Sequence, residues 1–317
     1  MKQLWCAVSL MTGSLIYSSI APAETTPGAL LQQMEQASQS LSYELAYINV
    51  SRSGIESLRY RHAVLNNKVY AQLLPMDGPR REIIQRGNEI SYFEPGLSPF
   101  TLAGEHIVDA LPSLVYANFP KLAAFYDFVP VGRTRIADQL CDIIRVVPRD
   151  GTRYSFIVWL DSDTRLPLRI DLLDRDGETL EQYRVISFAV DDGVQKIMQG
   201  LEKANLPLGM PLPASEKKDF NWMPGWLPDG MKEVMQSRRQ IPSINKPVES
   251  RLYSDGLFSF SINVTAADKN SSPQLVRTGR RTVQTAIRNN TEITVIGELP
   301  PSTAKLIADG VNLRSTP

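Results

Sequence analysis

Residues with reactive side chains are sparse in this sequence of 317 residues. It has two histidines, His62 and His106, and two cysteines, Cys6 and Cys141. A structural zinc site takes about four Cys or His ligands, so this composition argues strongly against one. We predict that His62 is a sheet residue and that His106 stands at a helix start. Cys141 lies in an apolar strand pattern and is predicted to be a buried, inert thiol.

Catalytic motifs are also missing from the sequence. It contains no G-x-S-x-G, H-E-x-x-H, P-loop or G-x-G-x-x-G pattern. The aspartate pairs at 161/163, 174/176 and 191/192 lie in turn sequences, where Asp supports the turn backbone. Two acids far apart in the chain could still form a glycosidase pair. We nevertheless predict a protein with no enzymatic activity, no catalytic residue, no metal and no cofactor.

Aromatic residues supply a signal for binding. Tyr92 and Phe93 stand beside a Pro-Gly turn, and residues 111–128 carry many large apolar side chains at irregular spacing. Such a pattern is typical either of core and lid packing or of the mouth of an apolar cavity sized for acyl chains. We take the cavity as the site hypothesis. Its candidate lining residues are Tyr92, Phe93, Leu114, Tyr116, Phe119, Phe156 and Trp159.

Arginines concentrate near the C-terminus. They form the pairs Arg238-Arg239 and Arg280-Arg281, with Arg277 three residues before the second pair. Guanidinium groups bind carboxylates in bidentate fashion, so these residues are either a solvated face or a docking surface for an acidic peptide. The chain has 34 Lys+Arg and 34 Asp+Glu. Neither half is basic enough to indicate a nucleic-acid partner.

The first 23 residues have the features of a secretory signal. Lys2 is followed by an apolar run and then by Ala21-Pro22-Ala23, an A-x-A cleavage pattern. A membrane anchor is the alternative, but the run falls short of the ~20 apolar residues needed to span a bilayer. We therefore predict an exported, soluble and unlipidated mature chain.

The mature sequence predicts a mainly β, α+β protein. A helix over residues 30–41 precedes strands at 43–52, 56–65, 68–74, 81–85, 89–94, 125–135, 139–147, 153–160, 167–173 and 179–190. Short helices are predicted only at 107–119 and 194–204. Successive strands at this spacing predict an antiparallel meander. Apolar residues on both faces of residues 154–160 favour a half-open, curved sheet around helices.

A change in composition predicts a second domain. Residues 205–219 contain Pro207, Pro211 and Pro213, which is typical of a semi-rigid linker. Beyond them we predict strands at 248–254, 257–264, 277–288 and 292–297 and a closing helix at 301–311. The predicted divisions are a signal peptide at 1–23, a large domain at 24–204, a linker at 205–219 and a smaller β-rich domain at 220–317.

Long segments of the chain resemble the MucB/RseB family. They include residues 56–62, 76–96, 131–138 and 172–182 in the first half and residues 249–261, 277–283 and 292–305 in the second. The resemblance covers essentially the whole chain. It implies a LolA/LolB-like, lipid-sensing N-terminal domain and a C-terminal domain that binds a partner. No catalytic residue comes with it.

The resemblance also implies a function. Such proteins are periplasmic negative regulators of the sigma-E envelope stress response. They bind the periplasmic segment of the anti-sigma factor RseA and shield it from the protease DegS until lipopolysaccharide or a mislocalised lipoprotein releases it. Lipid phosphates would favour Arg80, Arg81 and Arg86 at the cavity rim. A periplasmic lipid or lipoprotein carrier is the alternative, and homo-oligomerisation stays open.

Overall fold

The computed structural model describes residues 25–211, 219–241 and 246–313. The predicted signal peptide and residues 212–218 of the predicted linker lie outside these ranges. Four α-helices are described: α1 (Pro27–Ser40), α2 (Phe119–Leu122), α3 (Asp192–Gln199) and α4 (Pro301–Asp309). Short 3₁₀ segments cover Ser113–Tyr116 and Gly200–Lys203.

The larger domain is built on one antiparallel sheet of 11 strands. In chain order they are β1 (Tyr43–Ser51), β2 (Gly54–Leu65), β3 (Lys68–Pro75), β4 (Glu82–Arg86), β5 (Glu89–Phe93), β6 (Phe100–Ala103), β7 (Tyr126–Ile136), β8 (Gln139–Pro148), β9 (Ser155–Asp161), β10 (Pro167–Leu173) and β11 (Thr179–Val190). The order across the sheet is β6-β5-β4-β3-β2-β1-β11-β10-β9-β8-β7. The first and last strands of the meander therefore pair at its centre.

Helix α1 fills the concave face of this sheet. The Thr26 side chain accepts a hydrogen bond from the Ala29 N–H and caps the helix start. Leu31 and Met34 are fully buried, together with aromatic side chains of β1 such as Tyr43. The concave face of the sheet and the apolar side of α1 therefore form one packed core from which water is excluded.

Helix α3 covers one end of the convex face instead. Asp191 caps it by accepting hydrogen bonds from the N–H groups of Gly193 and Val194. Its buried Val194 and Met198 form a separate apolar cluster with Ala63 and Leu65 of β2 and with Tyr70 of β3. Residues 63 and 65 alternate with the concave-facing residues of β2, so their side chains point to the convex face, where α3 packs on them.

The smaller domain has a six-stranded sheet and a two-stranded one. Its strands are β12 (Trp222–Pro224), β13 (Lys232–Ile241), β14 (Lys246–Ser254), β15 (Ser259–Ala266), β16 (Gln274–Thr278), β17 (Arg281–Arg288), β18 (Thr291–Gly297) and β19 (Val311–Leu313). The six-stranded order is β13-β14-β15-β18-β17-β16, and β12 pairs with β19. Gly297 of β18 pairs with Phe260 of β15, and a Cβ on Gly297 would lie 2.3 Å from the Cβ of Phe260. Only glycine fits there.

The predicted fold class is confirmed: a mainly β protein with a large curved antiparallel sheet around helices and a smaller C-terminal sheet domain. Two local predictions are wrong. Residues 277–288 form a hairpin with Gly279 at φ 57°, and residues 107–119 contain only a 3₁₀ segment and the start of α2. Strands β6 and β13 were not predicted, because exposed edge strands do not need the apolar alternation that marks a buried face.

Candidate functional site

The two domains are fastened by a buried ion pair. The Arg153 side chain has no exposed area, and its Nη1 lies 2.8 Å from Oδ2 of Asp255, which is 1% exposed. The Tyr126 hydroxyl donates to the same Oδ2 at 2.5 Å, and Arg153 also donates to the Asp229 carbonyl at 2.6 Å. Arg153 further pairs with Asp150 at 3.0 Å. Both terminal nitrogens of this buried guanidinium are paired, with acceptors from both domains, and these contacts hold the domains in one relative position.

Direct packing continues around this pair. Phe156 of β9 stacks on Phe258 of the smaller domain with ring centroids 5.3 Å apart. The Tyr154 hydroxyl donates to the Leu299 carbonyl at 2.9 Å, and the Thr303 hydroxyl donates to the Thr152 carbonyl at 2.6 Å. The buried side chains of both domains therefore belong to one continuous core.

A second ionic cluster lies at the rim of this interface. The Arg280 guanidinium is 3.5 Å from Asp109, 3.3 Å from Glu181 and 3.1 Å from Glu298. Burial raises the pKa of both glutamates, although the Arg280 charge acts in the opposite direction. One arginine thus joins two carboxylates of the large domain to one of the small domain.

A cavity of about 420 Å³ opens between the domains beside this cluster. The large domain contributes Tyr116, Phe156, Ile170, Leu172, Glu181 and Tyr183, and the small domain contributes Leu257, Phe258, Arg280 and Glu298. Its volume lies within the range of small-molecule sites. Apolar and aromatic walls with a charged rim suit an amphiphilic ligand.

Among the polar groups of the cavity wall, the Tyr183 hydroxyl has no hydrogen-bond partner in the described part of the chain. The Tyr183 hydroxyl is buried and makes no hydrogen bond, while its ring packs 4.8 Å from that of Tyr47. Burial raises its pKa well above the usual value, so the phenol stays protonated. A buried phenol without a partner carries a desolvation cost that a bound acceptor would relieve.

Sequence reasoning found only part of this cavity. Of the candidate residues, Tyr116 and Phe156 line it, and the Tyr116 ring stacks on that of His106 with centroids 3.9 Å apart. Glu181, Tyr183 and Glu298 were missed: Arg280 joins the two glutamates across the domains, and Tyr183 is a core residue of β11 packed on Tyr47. The aromatic run Leu257-Phe258-Ser259-Phe260 was the available signal for the small-domain wall.

The other candidate lining residues lie elsewhere. Leu114 and Phe119 are packed in the core, where Phe119 meets Phe128 edge-on. Tyr92 stacks on Phe100 at the β5–β6 end of the sheet, and Phe93 ends β5. None of these four lines the interdomain cavity.

Trp159 requires a correction. Phe156 points to the concave face, and successive strand residues alternate, so a residue three positions further points to the convex face. Trp159 accordingly lies outside, under the Arg169 guanidinium at 4.3 Å. It does not line the interdomain cavity.

The three arginines expected at the cavity rim are dispersed. Arg80 is exposed, and Arg81 lies 3.8 Å from Glu94 beside a separate cavity of about 490 Å³. Arg86 donates to the Ala204 carbonyl at 3.1 Å, at the end of the second 3₁₀ segment. None of them lines the interdomain cavity. They were chosen for their nearness in sequence to Tyr92, which itself lies away from the cavity.

The C-terminal arginines occupy opposite edges of the six-stranded sheet. Arg238 and Arg239 are on β13, where Arg238 pairs with Glu249, while Arg277 is on β16 and lies 3.5 Å from Asp174. Arg280 is held between the domains by its carboxylates and is therefore not a free cation. Of these five arginines, only Arg239 and Arg281 are exposed without an ion pair to another described residue.

Of the remaining reactive residues, Cys141 and His62 are buried and His106 is partly buried. The Cys141 side chain is inaccessible, and burial raises its pKa to about 11. Burial lowers the pKa of His62, whose Nδ1 donates to the Leu41 carbonyl at 2.8 Å, and also that of His106. Across the described ranges, no three His, Cys, Asp or Glu residues come together to hold a metal ion. No helix in those ranges has the length and apolar character to cross a membrane.

The fold and the cavity define a two-domain β protein in which a large curved sheet and a smaller sheet domain enclose a cavity between them. Two comparisons with domain families cover nearly all of it. Residues 26–207 match the MucB/RseB N-terminal domain, and residues 216–312 match the MucB/RseB C-terminal domain. The chain belongs to the MucB/RseB family.

Relatives extend over the full length. A sigma-E factor regulatory protein RseB from Salmonella typhimurium is 62% identical over 99% of both chains, and that of Escherichia coli K12 is 63% identical over 98% of both. The sigma factor AlgU regulatory protein MucB of Pseudomonas aeruginosa is 28% identical over 94% of both chains. The crystal structure of MucB in complex with MucA(peri) superposes with a TM-score of 0.71 at 24% identity, covering 92% of this chain and 100% of MucB, and shares its fold.

Proposed function

We propose that this chain is a periplasmic regulator of the sigma-E response that binds the periplasmic segment of a membrane-bound anti-sigma factor. Bound there, it shields the segment from proteolysis by DegS. Lipopolysaccharide or lipoprotein acyl chains release it by occupying the interdomain cavity. Family membership over the whole chain supports the regulatory role, and the cavity shared by both domains supports the control by lipid.

The position of the cavity is the observation that carries the lipid proposal. A ligand held by Phe156 and Leu172 on one side and by Leu257 on the other contacts both domains at once. Its binding energy therefore depends on their relative position. Any partner that prefers a different relative position then loses affinity when the ligand binds, because coupling between two sites is reciprocal.

The energy available is sufficient for such a switch. Moving a two-state equilibrium from one extreme to the other takes about 5.5 kcal/mol of differential binding. Burying acyl methylenes supplies about 0.8 kcal/mol for each CH₂ group, so on the order of seven buried methylenes reach that value. The charged rim at Arg280 and the Tyr183 hydroxyl offer polar contacts to a headgroup or ester oxygen.

The partner is proposed to dock through the exposed cations of the smaller domain. Arg239 and Arg281 have no carboxylate partner among the described residues, and Arg238 is half exposed beside Glu249. An acidic segment would gain charge-assisted hydrogen bonds from them. Arg239 is on the edge strand β13 and Arg281 begins β17, the strand next to the opposite edge, so an extended segment would have to cross the small domain to reach both.

A titration tests the regulatory proposal. Purified mature protein is titrated with the periplasmic segment of the anti-sigma factor, with and without lipopolysaccharide, by isothermal calorimetry. We expect micromolar or tighter binding that weakens when lipopolysaccharide is present. Absence of binding would refute the regulatory proposal, and binding unaffected by lipopolysaccharide would refute the lipid switch alone.

A cavity-blocking variant tests the lipid site. Val108 stands at the cavity rim with 62% of its surface exposed, so Val108→Trp narrows the opening without disturbing the core. Leu306→Trp on α4, at a site 53% exposed and outside the cavity, is the matched control. We expect the first variant to bind the partner segment normally and to resist its release by lipopolysaccharide, and the control to behave as wild type.

The same cavity also suits a lipid or lipoprotein carrier. A carrier would accept an acylated ligand and pass it to an acceptor membrane, with no affinity for the anti-sigma segment. The titration therefore separates the two proposals. The absence of enzymatic activity stays a prediction.

A further inference from the structure

The convex face of the large sheet carries a group of side chains that the proposed function does not use. Strand pairing places Ile143, Trp159, Arg169 and Arg184 side by side across β8, β9, β10 and β11. Two residues along, pairing places Arg145 opposite Ile157 on the same face. Directly paired residues share a face of the sheet and lie about 5 Å apart. We call these six residues the convex arginine patch.

The patch has an excess of positive charge. Arg169 is satisfied by Asp171, with contacts of 2.9 and 2.5 Å. Arg184, directly opposite Arg169, is exposed and has no carboxylate partner among the described residues, and neither has Arg145. Two like charges directly opposite each other in a sheet are destabilising unless an anion joins them.

The apolar part of the patch is aromatic and aliphatic. Trp159 and the two isoleucines are only partly buried, on a face that α3 leaves uncovered. The Arg169 guanidinium stacks on the Trp159 ring at 4.3 Å. A tryptophan beside unpaired arginines on an outward face is the composition of a surface that rests on anionic lipid headgroups.

We propose that the convex arginine patch docks this protein on the surface of a membrane containing anionic lipids. The indole and isoleucine side chains enter the headgroup region, and Arg145 and Arg184 contact lipid phosphates. The docking face lies opposite the interdomain cavity, because Phe156 lines the cavity while the next residue of β9, Ile157, points to the other face of the sheet. Membrane docking therefore leaves the cavity accessible.

Other occupants fit this face less well. A second copy of the same patch would bring two sets of unpaired arginines together across a two-fold axis. An acidic peptide would need pockets for anchoring side chains, but none of the three cavities described includes Trp159, Arg145 or Arg184. A bilayer needs no pocket.

Vesicle sedimentation tests the proposal. The purified mature chain is mixed at low salt with vesicles of phosphatidylcholine alone or of phosphatidylcholine with phosphatidylglycerol. We expect sedimentation only with the anionic vesicles, and less at high salt. Arg145→Gln with Arg184→Gln should lower the vesicle affinity about 30-fold, the equivalent of about 2 kcal/mol for two cationic groups. Both side chains are exposed, so the thermal melt should not move.

A matched variant distinguishes the patch from net charge. Arg52→Gln with Arg135→Gln removes the same charge from two other exposed positions and should retain vesicle binding. The whole chain has a formal net charge of zero, so attraction to anionic vesicles has to come from a local group of residues. Equal loss in both double variants would refute the proposal, as would a wild-type chain that stays in the supernatant.

Fluorescence supplies a second readout. Vesicles should shift the tryptophan emission of the wild type and of Trp226→Phe, which removes an indole 36% exposed in the small domain. Trp159→Phe should lose the shift. A shift that persists in Trp159→Phe would show that another face meets the bilayer. Binding of polyglutamate through Arg145 and Arg184 without any vesicle binding would assign the patch to an acidic protein.

Discussion

Replacing Asp255 by asparagine should uncouple the two domains. Asp255 Oδ2 accepts from Arg153 and from the Tyr126 hydroxyl, and its Oδ1 accepts from the N–H groups of Leu257 and Phe258 at 2.9 Å. An asparagine can keep the two backbone contacts with its oxygen. Its NH₂ group, itself a donor, then faces the donors of Arg153 and Tyr126 and cannot accept from them. The buried Arg153 charge also loses its fully buried counter-ion.

The size of the effect follows from burial. Breaking a buried ion pair by removing one partner costs about 3–5 kcal/mol. We expect about 3 kcal/mol for Asp255→Asn, because Asp150 stays within 3.0 Å of Arg153 and compensates in part. For a chain of this size the loss corresponds to a fall in Tm of roughly 6–12 °C. Arg149 and Asp127 form the matched exposed pair, at 52% and 57% exposure, and Asp127→Asn should cost less than about 1 kcal/mol.

Urea unfolding at neutral pH, followed by tryptophan fluorescence and circular dichroism, measures both variants. The double variant Arg153→Met with Asp255→Asn should recover part of the lost stability, because the unpaired charge goes with the arginine. Two outcomes would contradict this account of the buried pair. One is a free energy of unfolding for Asp255→Asn within about 1 kcal/mol of the wild type, and the other is a double variant whose loss of stability equals the sum of the losses of its two single variants.

Three further predictions concern positions described above. Gly297→Ala should cost at least about 3 kcal/mol in urea unfolding, because its Cβ would overlap β15, whereas Gly200→Ala meets no atom within 4 Å and should stay within about 0.5 kcal/mol. Burial lowers the pKa of His62 below its ordinary value, so as the pH falls the unfolded chain binds the proton before the folded chain does. The free energy of unfolding therefore falls as the pH drops from 7 to 5, and His62→Gln should make that fall less steep. Arg280→Glu adds a fourth carboxylate to three and should cost roughly 2 kcal/mol or more, while Arg239→Glu, at an exposed position on β13, should leave the melt unchanged and only weaken partner binding.

The large sheet was predictable because its strands carry local signals. Each hairpin is closed by a turn sequence, such as Asn66-Asn67 at φ 51° and 59°, which suits the two-residue turn that right-twisted strands prefer. Along β10 the apolar Leu168, Ile170 and Leu172 alternate with Arg169 and Asp171, and this pattern indicates which residues share a face, although the structure buries Asp171 as well. Both signals act over a few residues, so one sequence suffices to recognise them.

The candidate site was less accessible to prediction, because its contacts join distant parts of the chain. Arg153 and Asp255 are 102 residues apart, and nothing near either residue indicates the other. The Arg280 cluster joins three elements in the same way. For Trp159 a local signal did exist: its odd spacing from Phe156 places the two on opposite faces, but apolar residues on both faces of β9 obscured this.

The single thiol in the described part of the chain has a practical consequence. Cys141 is inaccessible, and its pKa of about 11 keeps it protonated at neutral pH, so it is a poor nucleophile toward maleimide probes. Two cysteines introduced on exposed surfaces of the separate domains would react far faster. Fluorophores attached at such positions would report the distance between the domains by energy transfer, with the native sequence otherwise intact.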